Sequence, residues 1–127
     1  MQLELATARR EWAQLPTAWR AIVDPGKLSA EDLFSPALSI ALGSADLKRE
    51  LEMFSTPAEA MAAYNAGQAR VRVWMSSDPK AHGDTFIESI PFTQTRYYVE
   101  AVLRNQVAYR RIYGTTTGRV AKEPQRW

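Results

Sequence analysis

The sequence predicts an all-α domain, and three observations carry that expectation. Apolar residues recur at helical spacing along most of the chain. Strand-type alternation is confined to Arg70-Val71-Arg72-Val73-Trp74, which is too short to build a sheet. A capping residue followed by proline, a common way to start a helix, occurs at Ser35-Pro36 and again at Thr56-Pro57.

The elements follow in order. Leu5, Ala8, Trp12 and Leu15 share one helical face, which predicts a first helix over 3–15, stopped by Pro16. Residues 16–35 read as a loop with a short helix inside it. Asp24-Pro25-Gly26 is turn chemistry, and Ser29-x-x-Asp32 has the spacing of a capping box. A helix over 36–54 takes its apolar side from Leu38, Leu42, Leu47, Leu51 and Phe54. The next, over 58–65, carries Ala60, Met61, Ala62 and Ala63, slender residues that permit close helix approach; Gly67 breaks it. A helix over 68–75 presents Val71 and Trp74, and 76–83 is a polar loop. Asp84 is placed to cap a short helix to Ser89, and Pro91 interrupts the chain. The last helix, 93–113, has a stripe of Val99, Val102, Gln106, Tyr109 and Tyr113 and ends at Gly114. Residues 1–113 thus form one helical domain, and 114–127 read as a polar, basic tail.

Composition excludes several functions. A chain of 127 residues supports one domain, and 46% hydrophobic with 24% charged residues suits a globular one. A formal charge of only +2 is no nucleic-acid footprint. With no cysteine there is no disulfide, no thiolate nucleophile and no Cys-ligated zinc. With one histidine, His82, there is no multi-His metal site, and that residue reads as solvated surface. No apolar run approaches the roughly 18 residues of a membrane span. The N-terminus, with Glu4 early and no long apolar stretch, does not read as a secretory signal. The scattered glycines form no phosphate loop, and no cofactor is expected.

Three segments go beyond periodicity: Ala62-Ala63-Tyr64-Asn65-Ala66-Gly67 with Arg70-Val71; Phe86-Ile87-Glu88-Ser89-Ile90-Pro91-Phe92 with Thr95-Arg96-x-Tyr98-Val99; and Val102-Leu103-x-Asn105 with Tyr109-Arg110. Together they resemble the later part of soluble lytic transglycosylase (SLT) domains, goose-lysozyme-like enzymes that cleave peptidoglycan. That family shows A-Y-N-A-G, then F-x-E-x-I-P-F-x-E-T-R-x-Y-V, then V-L-x-N-x-x-x-Y-R. Upstream, Leu33-Phe34-Ser35-Pro36 with Ile40-x-Leu42-Gly43 is similar to its L-F-x-P-x-x-N-I-x-L-G stretch. Met1-Gln2-Leu3 with Ala6-Thr7-Ala8 is similar to the end of its G-L-M-Q-L-M-P-x-T-A stretch. The resemblance covers about residues 1–113. It departs at Glu4-Leu5, where the family has Met-Pro, at Ser39, where it has Asn, and at Gln94, where it has Glu.

The resemblance implies a lysozyme-like helical fold, N-terminally truncated. It also implies cleavage of the MurNAc–GlcNAc bond with a 1,6-anhydro product, and peptidoglycan glycan strands as the partner in the bacterial envelope or periplasm. In the family the catalytic glutamate lies in an E-S-x-F motif before G-L-M-Q, so that acid is expected to be absent from this chain. Glu88-Ser89 belongs to the later motif and is not its counterpart. No catalytic residue is assigned, and Glu88 is the best remaining carboxylate. The residues themselves leave Glu88 two readings: a carboxylate desolvated by Ile87, Ile90, Pro91 and Phe92, or one pairing near a helix end with Arg96. By resemblance Gln2, Tyr64, Asn65, Glu88 and Tyr98 line the substrate cleft. From residue type alone, Tyr64 and Asn65 equally suit a buried phenol and a helix C-cap, and Tyr98 a core position. Trp12, Trp19 and Trp74 read as core. The functional readings are therefore a transglycosylase domain inactive as this isolated chain, or a non-catalytic helical module that binds peptidoglycan or a partner. The surface left by the missing helix is expected to promote self-association.

Overall fold

The computed structural model describes residues 3–21 and 24–114; Gln2 and most of the predicted tail, residues 115–127, lie outside them. The order is α1 (Leu5–Trp12), α2 (Thr17–Arg20), two 3₁₀ turns (Pro25–Lys27 and Asp32–Phe34), then α3 (Pro36–Met53), α4 (Pro57–Ala66), α5 (Gln68–Ser77), α6 (Asp84–Ser89) and α7 (Thr93–Tyr113). There is no strand among the described residues, so the all-α expectation holds.

Helix α4 is the centre. Ala58, Ala60, Met61, Ala62 and Ala63 are all buried, so the helix is covered on every side. Its short side chains let α3, α5, α6 and α7 pack around it. Its start is fixed locally. The Thr56 hydroxyl accepts the Glu59 N–H at 3.3 Å, and Glu59 Oε2 accepts the N–H groups of Thr56 at 3.2 Å and Ser55 at 3.1 Å. Pro57 occupies the first turn, where its missing N–H costs nothing. Gly67, at φ 92°, ends α4 and turns the chain directly into α5.

Two apolar cores result. One gathers Ala58, Met61, Ala62, Val71, Phe86, Ile90 and Val99 from α4 to α7. The other gathers Ala8, Trp12, Leu15, Leu28, Leu38 and Leu42 from α1, its following loop and α3. Helix α3 spans both, giving Leu38 and Leu42 to one and packing Leu47 against the other, where Phe54, just past its end, also packs.

The structure revises the expected boundaries in places. Helix α1 stops at Trp12, because Gln14 and Leu15 tighten into i→i−3 bonds ahead of Pro16, which disfavours helical backbone before it. Leu15 and Trp12 still bury as expected. Ser29 and Asp32 do form the reciprocal box: Asp32 accepts the Ser29 N–H at 2.8 Å and hydroxyl at 2.9 Å. Those bonds hold the half-buried Asp32 carboxyl below its ordinary pKa. Gly83 rather than Asp84 takes the N-cap of α6. Along α3, Leu51 is exposed, and the buried face includes Ser39, Asp46 and Glu50 instead. On α7 the stripe buries only through its first half. Val99 is fully buried, Val102 is half-buried, and Gln106, Tyr109 and Tyr113 are exposed, because the helix runs past the elements that cover it.

The tightness of α4 makes a direct prediction. Ala62→Leu inserts three carbons where no space exists and should cost about 1–3 kcal/mol of stability, read as a lower urea midpoint with an unchanged slope. An unchanged midpoint would mean that α4 is not packed on all sides.

Candidate functional site

A concavity opens where α1, α3 and the α4–α5 turn meet. It is a cleft of about 690 Å³. Thr7 and Arg10 line it from α1; Asp46, Arg49 and Glu50 from α3; Tyr64 and Asn65 from the end of α4; Gln68 and Arg70 from α5. Leu3 and Glu4 close one side.

Its floor is a charge cluster. The Arg49 guanidinium donates through Nη2 to Asp46 Oδ1 at 2.7 Å and to Glu50 Oε1 at 2.9 Å. Its Nε lies 3.0 Å from Glu11 Oε1, an ion-pair distance whose direction does not suit a hydrogen bond. Arg10 adds contacts of 2.8 Å to Glu11 Oε1 and 3.2 Å to Asp46 Oδ1. Glu11 and Glu50 are 1% and 3% exposed, and these cations face both carboxylates. Burial works against the Arg49 charge, but the Asp46 hydrogen bond and the charges of Glu11, Glu50 and Asp46 outweigh it and raise its pKa.

The rim is polar and incompletely paired. Gln68 Nε2 donates to Glu50 Oε1 at 2.9 Å, tying the α4–α5 turn to α3. The buried Tyr64 hydroxyl and Glu50 Oε2 have no hydrogen-bond partner among the described residues. Burial, with Tyr98 and Asp46 nearby, pushes the Tyr64 phenol up to about 12, so it is a neutral O–H donor across the working range of pH. Arg70 donates to the Ala66 carbonyl at 3.0 Å and lies 5.6 Å over the Phe92 ring, which meets Trp74 edge-on at 5.3 Å. No group of three or more His, Asp or Glu among the described residues is arranged to hold a metal ion.

The sequence-predicted residues separate on this geometry. Tyr64 and Asn65 come together in the cleft. Tyr98 is half-buried on α7 against the first core, its pKa raised by burial, and Glu88 is exposed on α6; neither lines the cleft. Gln2 lies outside the described residues. His82 is more than solvated surface: its Nδ1 sits 3.1 Å from Oε1 of the fully buried Glu59. Helical periodicity missed Glu11, Asp46, Arg49 and Glu50, because charged residues at helical spacing ordinarily face water. The available signal was the spacing of Asp46, Arg49 and Glu50, which puts a cation one turn from an acid on the same side of α3.

The sequence matches the family described as "Transglycosylase SLT domain" over residues 1–87. The chain belongs to that family. It is 38% identical to "Soluble lytic murein transglycosylase" of Escherichia coli (strain K12) over 92 residues, 71% of this chain and 14% of that protein. Against the protein of the same name from Salmonella typhimurium it is 39% identical over 84 residues, 65% of this chain and 13% of the other. The chain thus spans about one seventh of the curated relatives that it matches. No solved structure matches it. As an SLT-family chain it is lysozyme-like and all-α, and its A-Y-N-A-G motif is the segment that forms the cleft wall at Tyr64 and Asn65.

Two outcomes follow from the floor and rim. Arg49→Met should cost about 3–5 kcal/mol, because it takes from the buried Glu50 the cation it faces; a loss below about 1 kcal/mol would show that the cluster is not carried by Arg49. The raised Tyr64 pKa favours the protonated folded state, so its contribution is intact below pH 10 and falls away as pH rises toward about 12. Spectrophotometric titration of Tyr64→Phe should lose a high-pH phenol step and flatten that alkaline decline. Identical alkaline curves for both proteins would contradict the burial assigned to this hydroxyl.

Proposed function

We propose that this chain forms the glycan-holding wall of a peptidoglycan lytic transglycosylase unit in the bacterial envelope. What supports the reading is one observation above others. The motif carried by Tyr64 and Asn65 opens onto a roomy polar cleft, with the buried Tyr64 hydroxyl left without a hydrogen-bond partner among the described residues. A neutral O–H donor and a side-chain amide suit sugar hydroxyls and N-acetyl groups. Family membership, and relatives named as murein transglycosylases, favour a murein strand as the ligand.

Cutting the strand needs a carboxylic acid that can protonate the leaving oxygen. Asp46 and Glu50 are engaged by Arg49, Glu4 is exposed, and Glu88 is outside the cleft. These placements favour holding over cutting by this chain itself. No helix among the described residues is long and apolar enough to cross a membrane.

The test is sedimentation with purified peptidoglycan sacculi, followed by mass spectrometry of released muropeptides. The chain should co-sediment, Asn65→Ala should weaken binding about tenfold, equivalent to about 1.4 kcal/mol, and no 1,6-anhydro products should appear. Release of anhydro products would place the catalytic acid within this chain. Failure to bind sacculi would overturn the glycan reading in favour of a partner-binding module.

A further inference from the structure

The residues proposed to meet the glycan sit on a very short connection. Helices α4 and α5 are joined by Gly67 alone, at φ 92° and ψ 144°. Tyr64, Asn65 and Ala66 are the last three residues of α4, so the angle at Gly67 decides how α5 stands against the end of the helix that carries them. Glycine at this φ has no Cβ to restrict it, and a Cβ there would meet nothing within 4 Å. The backbone at Gly67 therefore has no packed side chain of its own to hold the angle.

What holds it lies one residue later. Gln68 opens α5 and reaches across to α3, where its Nε2 donates to Glu50 Oε1 at 2.9 Å and touches Met53 Sδ at 3.5 Å. Glu50 is 3% exposed and is itself gripped by Arg49 Nη2 at 2.9 Å. A half-buried amide that donates to a buried, cation-held carboxylate makes a charge-assisted bond with little freedom. On the other side of Gly67, Arg70 secures the Ala66 carbonyl at 3.0 Å. We propose that Glu50 and Gln68 are positioning residues: their hydrogen bond holds the first turn of α5 against α3 and so fixes the cleft opening beside Tyr64 and Asn65. The functional part of this inference rests on the glycan reading; the structural part does not.

The test removes and restores the donor at position 68. Gln68→Glu puts a second carboxylate against Glu50 Oε1, whereas Gln68→Lys offers that oxygen a donor and leaves Arg49 its carboxylate. Two readouts are taken on each folded variant: amide chemical shifts of Tyr64, Asn65 and Gly67 by NMR, and affinity for sacculi by sedimentation. Gln68→Glu should shift those amides and weaken binding about tenfold, and Gln68→Lys should keep both within about twofold of the parent. Should Gln68→Glu fail to fold, Gln68→Ala removes the bond without repulsion and should move both readouts in the same direction.

Native shifts and native affinity in Gln68→Glu or Gln68→Ala would overturn the proposal. So would an equal loss in Gln68→Lys, since that marks a general packing defect. If the parent does not bind sacculi at all, but the shifts are lost in Gln68→Glu and kept in Gln68→Lys, the positioning stands and the glycan reading falls.

Discussion

Arg49 is the point on which the two halves of the molecule meet. Its guanidinium faces carboxylates of α1 and α3 together, Glu11 on one side and Asp46 and Glu50 on the other. Without it, the buried Glu50 on the inner face of α3 would lose the cation it faces, and an unpaired buried carboxylate costs several kcal/mol. With it, α3 can carry leucines to both apolar cores and still line a polar cleft between them. The pair network is not where the fold draws most of its stability, because the apolar cores supply that. Its effect is to make the junction specific in register, with α1 able to dock against α3 only where Glu11 reaches Arg49.

Much of the architecture is legible because its determinants are local. Thr56-Pro57 with Glu59 contains a whole capping box within four residues, and the structure forms it. Ser29 and Asp32 do the same around a 3₁₀ turn. The run of small residues in α4 announces a helix that others approach closely, and α4 is indeed covered on all sides. The failures come where burial depends on distant partners. Leu51 fits the apolar pattern of α3 yet is exposed, while Glu50 beside it is buried, because a cation three-dimensionally adjacent outweighs hydropathy. Tyr109 and Tyr113 continue a perfect stripe on α7 but stack on one another in solvent, because the elements that cover the first half of the helix do not extend that far.

The candidate site divides along the same line. Tyr64 and Asn65 sit in a contiguous motif, and resemblance alone was enough to single them out. Glu88 sits in a motif just as contiguous, yet α6 turns it to solvent, away from the cleft. The Phe92 of that motif reaches the cleft only indirectly, through Arg70 above its ring. The cleft floor could not be read from spacing along the chain, since Glu11 and Arg49 are brought together from α1 and α3 by the packing of whole helices. His82 shows the same limit on a smaller scale: its partner Glu59 is 23 residues away and fully buried. Of the residues singled out by resemblance, Tyr64 and Asn65 line the cleft, and the charge cluster of Glu11, Asp46, Arg49 and Glu50 ties α1 to α3 beside them.

The most direct measurement is a double-mutant cycle between Glu11 and Arg49, using Glu11→Gln and Arg49→Met with stability read from urea unfolding. If this pair joins α1 to α3 as described, the two losses will be strongly non-additive, with a coupling of about 2 kcal/mol or more. Losses that add to within about 0.5 kcal/mol would mean that the two residues do not act on each other, and the junction would have to be explained by the apolar cores alone.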